Sequence, residues 1–218
     1  MPKSVMSFLL AVGSVFFLMG ILFSRNLVVI GIVMMGIAIF MALKPDSILR
    51  KDQVEDSWCT LIENAQGKAE GVFHSAEAFI KENNVDPLCI TNESISPGFV
   101  SSMFGKAREF LVVVYSGSFR LKPYQIFVNA RDFGNHLDVS WYLTYRPSIW
   151  QALASLIPFV KTASEALREL DLFDQQDLRA YATVVHHAVL KSVDKLMLDL
   201  KQDPSKIERK SRGFLGIS

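Results

Sequence analysis

Residues 4–43 read SVMSFLLAVGSVFFLMGILF, then SRN, then LVVIGIVMMGIAIFMAL. Arg25 is the only charge in this stretch. A helix rises about 1.5 Å per residue, so each apolar run reaches across roughly 30 Å of hydrocarbon, the second only just. Met1-Pro2-Lys3 ahead of an apolar run also resembles the start of a signal peptide. Against cleavage, the first run outlasts a typical signal core, no A-x-A-like site precedes Arg25, and a second apolar run follows at once. The expectation is a transmembrane helical hairpin over residues 1–45. Ser7, Ala11 and Ser14, Gly13 and Gly20, and Gly31 and Ala38 recur at helical spacings that let two backbones approach closely in lipid. Neither run holds an ionisable side chain, which argues against a proton relay or ion pathway built by this hairpin alone.

Basic residues orient the hairpin. Lys3 precedes the first run, Lys44, Arg50 and Lys51 follow the second, and only Arg25 lies between them. That asymmetry predicts a two-pass protein with both termini and the following domain in the cytoplasm. Cys59 and Cys89 form no C-x-x-C or zinc spacing and fit a reducing compartment. Between Asp46 and Leu200 there are 15 Lys plus Arg and 20 Asp plus Glu, a net of −5. Such a body lacks the basic balance of a nucleic-acid-binding domain, so no nucleic acid is expected as a partner.

Beyond the hairpin, residues 46–202 are expected to form one α+β domain. Trp58, Leu61, Ile62, Ala65, Ala69, Val72, Phe73, Ala76, Phe79 and Ile80 repeat at three and four, which predicts a helix over 57–82 after a polar linker. Leu88–Thr91 reads as a short strand and 92–105 as a loop. Glu109–Ser116 is a nearly continuous apolar strand. Tyr124–Arg131 and Leu137–Tyr145 alternate apolar and polar, joined by a turn through Asp132-Phe133-Gly134-Asn135-His136. Ser148 precedes a helix over 149–170 that Pro158 interrupts. Asp174 opens a last helix with the stripe Leu178, Tyr181, Ala182, Val185, Val189, Val193, Leu196 and Leu200, ended by Asp203-Pro204. The order gives a small antiparallel sheet with helices on one face. Residues 203–218 are expected to form a basic flexible tail.

Few motifs carry chemistry. Asp132-Phe133-Gly134 spells a kinase triplet, but the phosphate-binding and catalytic loops that accompany it are missing, and turn chemistry explains the residues. His186 and His187 point about 100° apart on a helix, which argues against a shared metal. Ser192-Val193-Asp194-Lys195 fits S-x-x-K without its partner motifs. Gly67-Lys68 lacks the flanking residues of a phosphate loop. No catalytic, cofactor-binding or metal-ligating residues are expected.

Two surfaces remain. Phe127, Asn129, Arg131 and Tyr142 fall on the outward face of the sheet, which is expected either to dock a partner or to be covered by the tail or the helix around Pro158. Trp150, in an apolar stretch after the sheet, and Lys206, Arg209, Lys210 and Arg212 in the tail are candidates for lipid contact. The functional expectation is a membrane-anchored accessory or scaffold subunit of an inner-membrane assembly, partnered by other membrane proteins, by its own copies and by lipid. The alternative is a membrane-tethered enzyme or sensor for a lipid or small ligand, with Arg131, Asp132 or His136 at the rim of its pocket.

Overall fold

The computed structural model describes residues 11–17, 19–21, 25–43, 51–95, 107–146, 170–213, 215 and 217. The chain divides into two units, Met1–Asp46 with Pro147–Glu169, and Ser47–Arg146 with Leu170–Ser218. The interrupted helix expected over 149–170, and Trp150 with it, lie outside the described residues.

In the first unit, α1 covers residues 11–17 and 19–21 and α2 covers Arg25–Leu43. Their backbones touch through glycines. A Cβ placed on Gly31 would stand 2.6 Å from the Phe17 nitrogen and 2.7 Å from the Gly13 oxygen. One placed on Gly20 would collide with the Val28 backbone. The Ser14 hydroxyl donates to Met35 Sδ at 3.9 Å. Val15, Met19, Ile21, Val29, Ile30, Ile32 and Val33 point outward and are exposed. Among the described residues, no helix is long and apolar enough to cross a membrane.

The second unit is mixed α+β. Five strands form one antiparallel sheet: β1 Val54–Ile62, β2 Leu88–Ile95, β3 Arg108–Tyr115, β4 Tyr124–Phe133 and β5 His136–Tyr145. Their spatial order is β1-β5-β4-β3-β2. Two helices, α3 Ala69–Glu82 and α4 Leu172–Asp199, pack on one another and on the inner face of the sheet. The core joins Trp58 and Ile62 of β1, Val72, Ala76 and Ile80 of α3, and the inward residues of β3, β4 and β5 to the α4 stripe. Leu178, Tyr181, Ala182, Val185, Val189 and Val193 are buried as the helical spacing predicts.

Four differences from the sequence reading have physical causes. The helix expected over 57–82 is a strand, a turn and a shorter helix. Asn64 and Gly67 adopt φ of 52° and 76°, which no α-helix accommodates, and they reverse the chain between β1 and α3. The Val, Trp, Cys, Thr and Ile of 54–62 fit a pleated strand as well as a helical stripe. The second strand extends through Ile95, because Asn92–Ile95 continue its pairing with Arg108–Leu111. The last helix is capped by Asp171, whose carboxylate accepts from the Asp174 amide at 2.8 Å. It ends in a Schellman turn, before Asp203-Pro204: Gln202 N–H donates to Met197 O, and Lys201 takes φ 58°.

Finally, the described residues of the stretch 203–218 make contacts with the rest of the sheet unit. Ser211, Leu215 and Ile217 are buried. Trp58 Nε1 donates to the Glu208 carbonyl at 2.6 Å, and Arg212 N–H donates to Ser57 O at 2.9 Å. The tail thus covers the β1 edge, which would otherwise present unpaired backbone groups. Its Leu215 and Ile217 add to the core.

Candidate functional site

The outward face of the sheet is the first candidate. Cross-strand register places Val112, Phe127 and Tyr142 in one row, with Asn129 beside Ser140 in the next. Period two puts these residues on the solvent side of a sheet whose helices lie on the other side, which is why they read as exposed. The structure corrects that reading for two of them. Phe127 is 0% exposed, in a second apolar cluster with Ile95, Phe110 and Val112, and Asn129 is buried as well. Phe110 meets Phe127 edge to face at 6.1 Å between ring centroids, and the Arg146 guanidinium lies 4.5 Å from the Phe127 centroid. Arg146 also approaches Glu93 at 4.0 Å. This face therefore holds a small core of its own.

Arg131 and Tyr142 remain partly exposed. Arg131 Nε donates to Asp138 Oδ2 at 2.9 Å, and its guanidinium lies 5.7 Å from the Phe133 ring. Leu61 and Phe133, which sequence reasoning did not select, are exposed near this pair. Leu61 was misassigned to a helix and Phe133 to a turn, so neither carried a surface signal.

Asp132 of the kinase-like triplet has a structural task. Its carboxylate accepts from the Gly67 amide at 2.9 Å, tying the β1–α3 connection to the β4–β5 hairpin. Gly134 turns that hairpin with φ of 62°.

A second polar cluster lies between the sheet and the tail. His186 is buried between two tryptophans, 5.8 Å from Trp58 and 5.6 Å from Trp141 by ring centroids. Trp141 Nε1 donates to His186 Nδ1 at 2.9 Å. That bond fixes the neutral ring with its proton on Nε2, which donates to the Arg209 carbonyl at 2.7 Å. Burial lowers the His186 pKa, partly countered by the bond to Arg209. Both nitrogens are committed, so His186 has none left for a metal shared with the exposed His187. Nearby, the buried Asp56 carboxylate accepts from Ser57 N–H at 2.7 Å, Ser211 Oγ at 3.1 Å and Gly213 N–H at 2.7 Å. Asp56 and Trp58 were hidden from sequence reasoning by the linker and helix readings. The alternation of Val54, Asp56, Trp58, Thr60 and Ile62 was the available signal.

A groove of about 420 Å³ separates the N-terminal half of α3 from the C-terminal half of α4, lined by Lys68, Glu70, Ser75, Lys195 and Asp199 among others. Its charges are of both signs. Ser192, also on this groove, donates its hydroxyl to the Ala188 carbonyl at 2.8 Å. Among the described residues, no three His, Cys, Asp or Glu side chains gather in a way that would hold a metal ion.

Lys206, Arg209, Lys210 and Arg212 are all exposed on an ordered backbone. Arg209 is held by Asp194, at 2.8 and 3.0 Å to its two carboxylate oxygens. No protein-family model matches the chain, and no curated protein and no solved structure matches it.

Proposed function

We propose that this chain is a membrane-anchored accessory or scaffold subunit of an inner-membrane protein assembly. Its two apolar runs would form a two-pass hairpin, and its sheet unit would dock partner subunits, or further copies of itself, on the cytoplasmic side. The observation that carries the reading is the construction of the helical unit. Glycines bring α1 and α2 into backbone contact, while the outward positions carry Val, Ile and Met. In water such a surface is unfavourable at about 25 cal/mol per Å² of apolar area; in lipid it is the expected exterior. The basic residues flanking the runs favour cytoplasmic termini.

The sheet unit supports a docking role over a catalytic one. Its buried Asp56, His186 and Tyr181 bond to the protein's own backbone and side chains. The accessible part of the outer face, with Leu61, Arg131, Phe133 and Tyr142, offers apolar groups beside a paired charge. Purification of the tagged protein at native level in mild detergent, followed by mass spectrometry, tests the reading. A stoichiometric set of membrane proteins, or a defined oligomer, is expected. Recovery solely as a free monomer would overturn it.

A further inference from the structure

The sheet unit carries an unusual concentration of exposed apolar side chains at one end. Phe119, Leu172 and Phe173 are 73%, 66% and 74% exposed. Arg120 Nη1 bonds to Asp171 at 3.2 Å and to Asp174 at 2.9 Å, which holds the 118–121 turn against the first turn of α4. Large apolar side chains exposed together on a soluble surface mark an interaction site.

The chain passes between the two units at 46/47, 146/147 and 169/170. The first crossing leads into β1, whose Val54 pairs with Thr144. The second leaves from Arg146, whose amide donates to Pro123 O at 2.7 Å, just after the 118–121 turn. The third enters α4 two residues before Leu172. Val54, Arg146 and Leu170, described residues that lead to the three crossings, therefore lie at the end of the sheet that carries Phe119, Leu172 and Phe173. Lys51 and Lys122 are exposed at this end, as is Asp177 one turn after Phe173, while Asp171 and Asp174 are engaged by Arg120.

We propose that Phe119, Leu172 and Phe173 seat this end of the sheet unit in the headgroup layer of the bilayer. Aromatic and apolar side chains suit the acyl boundary, and Lys51 and Lys122 can extend their ammonium groups to headgroup phosphates. The inference rests on the anchoring proposed above, because only an anchored chain holds its crossings at the membrane. Leu198 is a natural control. It is 64% exposed on the same helix, 25 residues from Phe173 and hence about 38 Å away along the axis.

The test uses the full chain with Cys59 and Cys89 replaced by serine, carrying Phe173→Cys, Phe119→Cys or Leu198→Cys labelled with an environment-sensitive fluorophore. Each is reconstituted into phosphatidylcholine–phosphatidylglycerol vesicles containing headgroup-proximal nitroxide lipid. Carbonate-resistant flotation with the vesicles reports anchoring separately. The expected result is flotation of all three, with quenching at 173 and 119 at least two-fold stronger than at 198. Flotation with equal quenching overturns the seating and leaves the anchor standing. A blue-shifted but unquenched label at 173 also overturns it, and identifies a protein cover. Failure to float overturns both.

Discussion

Exchanging His186 for phenylalanine isolates what the buried imidazole contributes. His186→Phe keeps an aromatic ring between Trp58 and Trp141 and removes both ring nitrogens. Trp141 Nε1–H and the Arg209 carbonyl then lose the partners they have at 2.9 and 2.7 Å. A buried polar group left unsatisfied costs about 1–3 kcal/mol. Two such groups, offset by no longer burying a polar imidazole, give a loss of roughly 2–4 kcal/mol. For a chain of this size that lowers Tm by about 5–15 °C. The dependence on pH has a definite sign. Burial lowers the His186 pKa, the Arg209 carbonyl and Asp56 oppose this, and His187 and the Arg209 guanidinium add to it. The unfolded chain therefore takes up a proton near pH 6.5 that the folded chain refuses. This contribution to stability is whole above that pH and is lost below it, by up to about 1.4 kcal/mol per unit, until the folded pKa is reached. Thermal unfolding of the full chain in mild detergent, followed by near-ultraviolet circular dichroism at pH 7.5 and 5.5, reads both effects. The gap between wild type and His186→Phe should be large at pH 7.5 and narrower at pH 5.5. Equal Tm values at pH 7.5, or a gap that widens on acidification, would refute the bonding scheme.

Three further changes probe other joints of the structure. Tyr181 donates its hydroxyl to the Val113 carbonyl at 2.5 Å and accepts from the Ile126 amide at 3.2 Å, so Tyr181→Phe should destabilise by about 1–3 kcal/mol in chemical unfolding; an unchanged midpoint would contradict those bonds. Burial raises the Tyr181 pKa, so stability should also decline above about pH 10 as only the unfolded phenol ionises, and Tyr181→Phe should remove that part of the decline. Lys201→Gly relieves a left-handed residue at the end of α4 and should raise stability by up to about 1 kcal/mol, whereas a lower Tm would show that the lysine side chain is needed there. In the helical unit, Gly31→Leu should reduce recovery of folded protein from detergent several-fold, while Gly36→Leu, where a Cβ meets nothing within 4 Å, should match wild type; equal recovery would argue against the close approach.

What was legible in the sequence followed from periodicity with one consistent solution. The alternation in Tyr124–Arg131 and Leu137–Tyr145 fixed two strands and their inward faces, because Tyr124, Ile126, Val128 and Ala130 have no helical alternative of equal quality. The stripe of α4 was equally clear. At 57–82 the three-four pattern admitted both a helix and a strand followed by a helix. The deciding information sat in Asn64 and Gly67, which tolerate positive φ but do not announce it. The failure at Phe127 is of another kind. Alternation correctly assigned its face, but a face is not an exposure. Burial there depends on Ile95, Phe110 and Arg146, contributed by strands and a strand end far away in sequence.

The tail shows the same limit from the opposite side. Lys206, Arg209, Lys210 and Arg212 give it the composition of a solvated extension, and their side chains are indeed exposed. Its place is set instead by its backbone and by Ser211. The Glu208, Arg209 and Gly213 main chains bond to Trp58, His186 and Asp56, and the Ser211 hydroxyl bonds to Asp56. Each of those three partners contributes one side chain with an unmet donor or acceptor, and the tail meets all three. A Cβ on Gly213 would collide with Asp56, so the approach needs glycine at that position. Backbone complementarity of this sort leaves no periodic trace. It is also the reason that the core's two tryptophans, its buried histidine and its buried aspartate form a closed structural network.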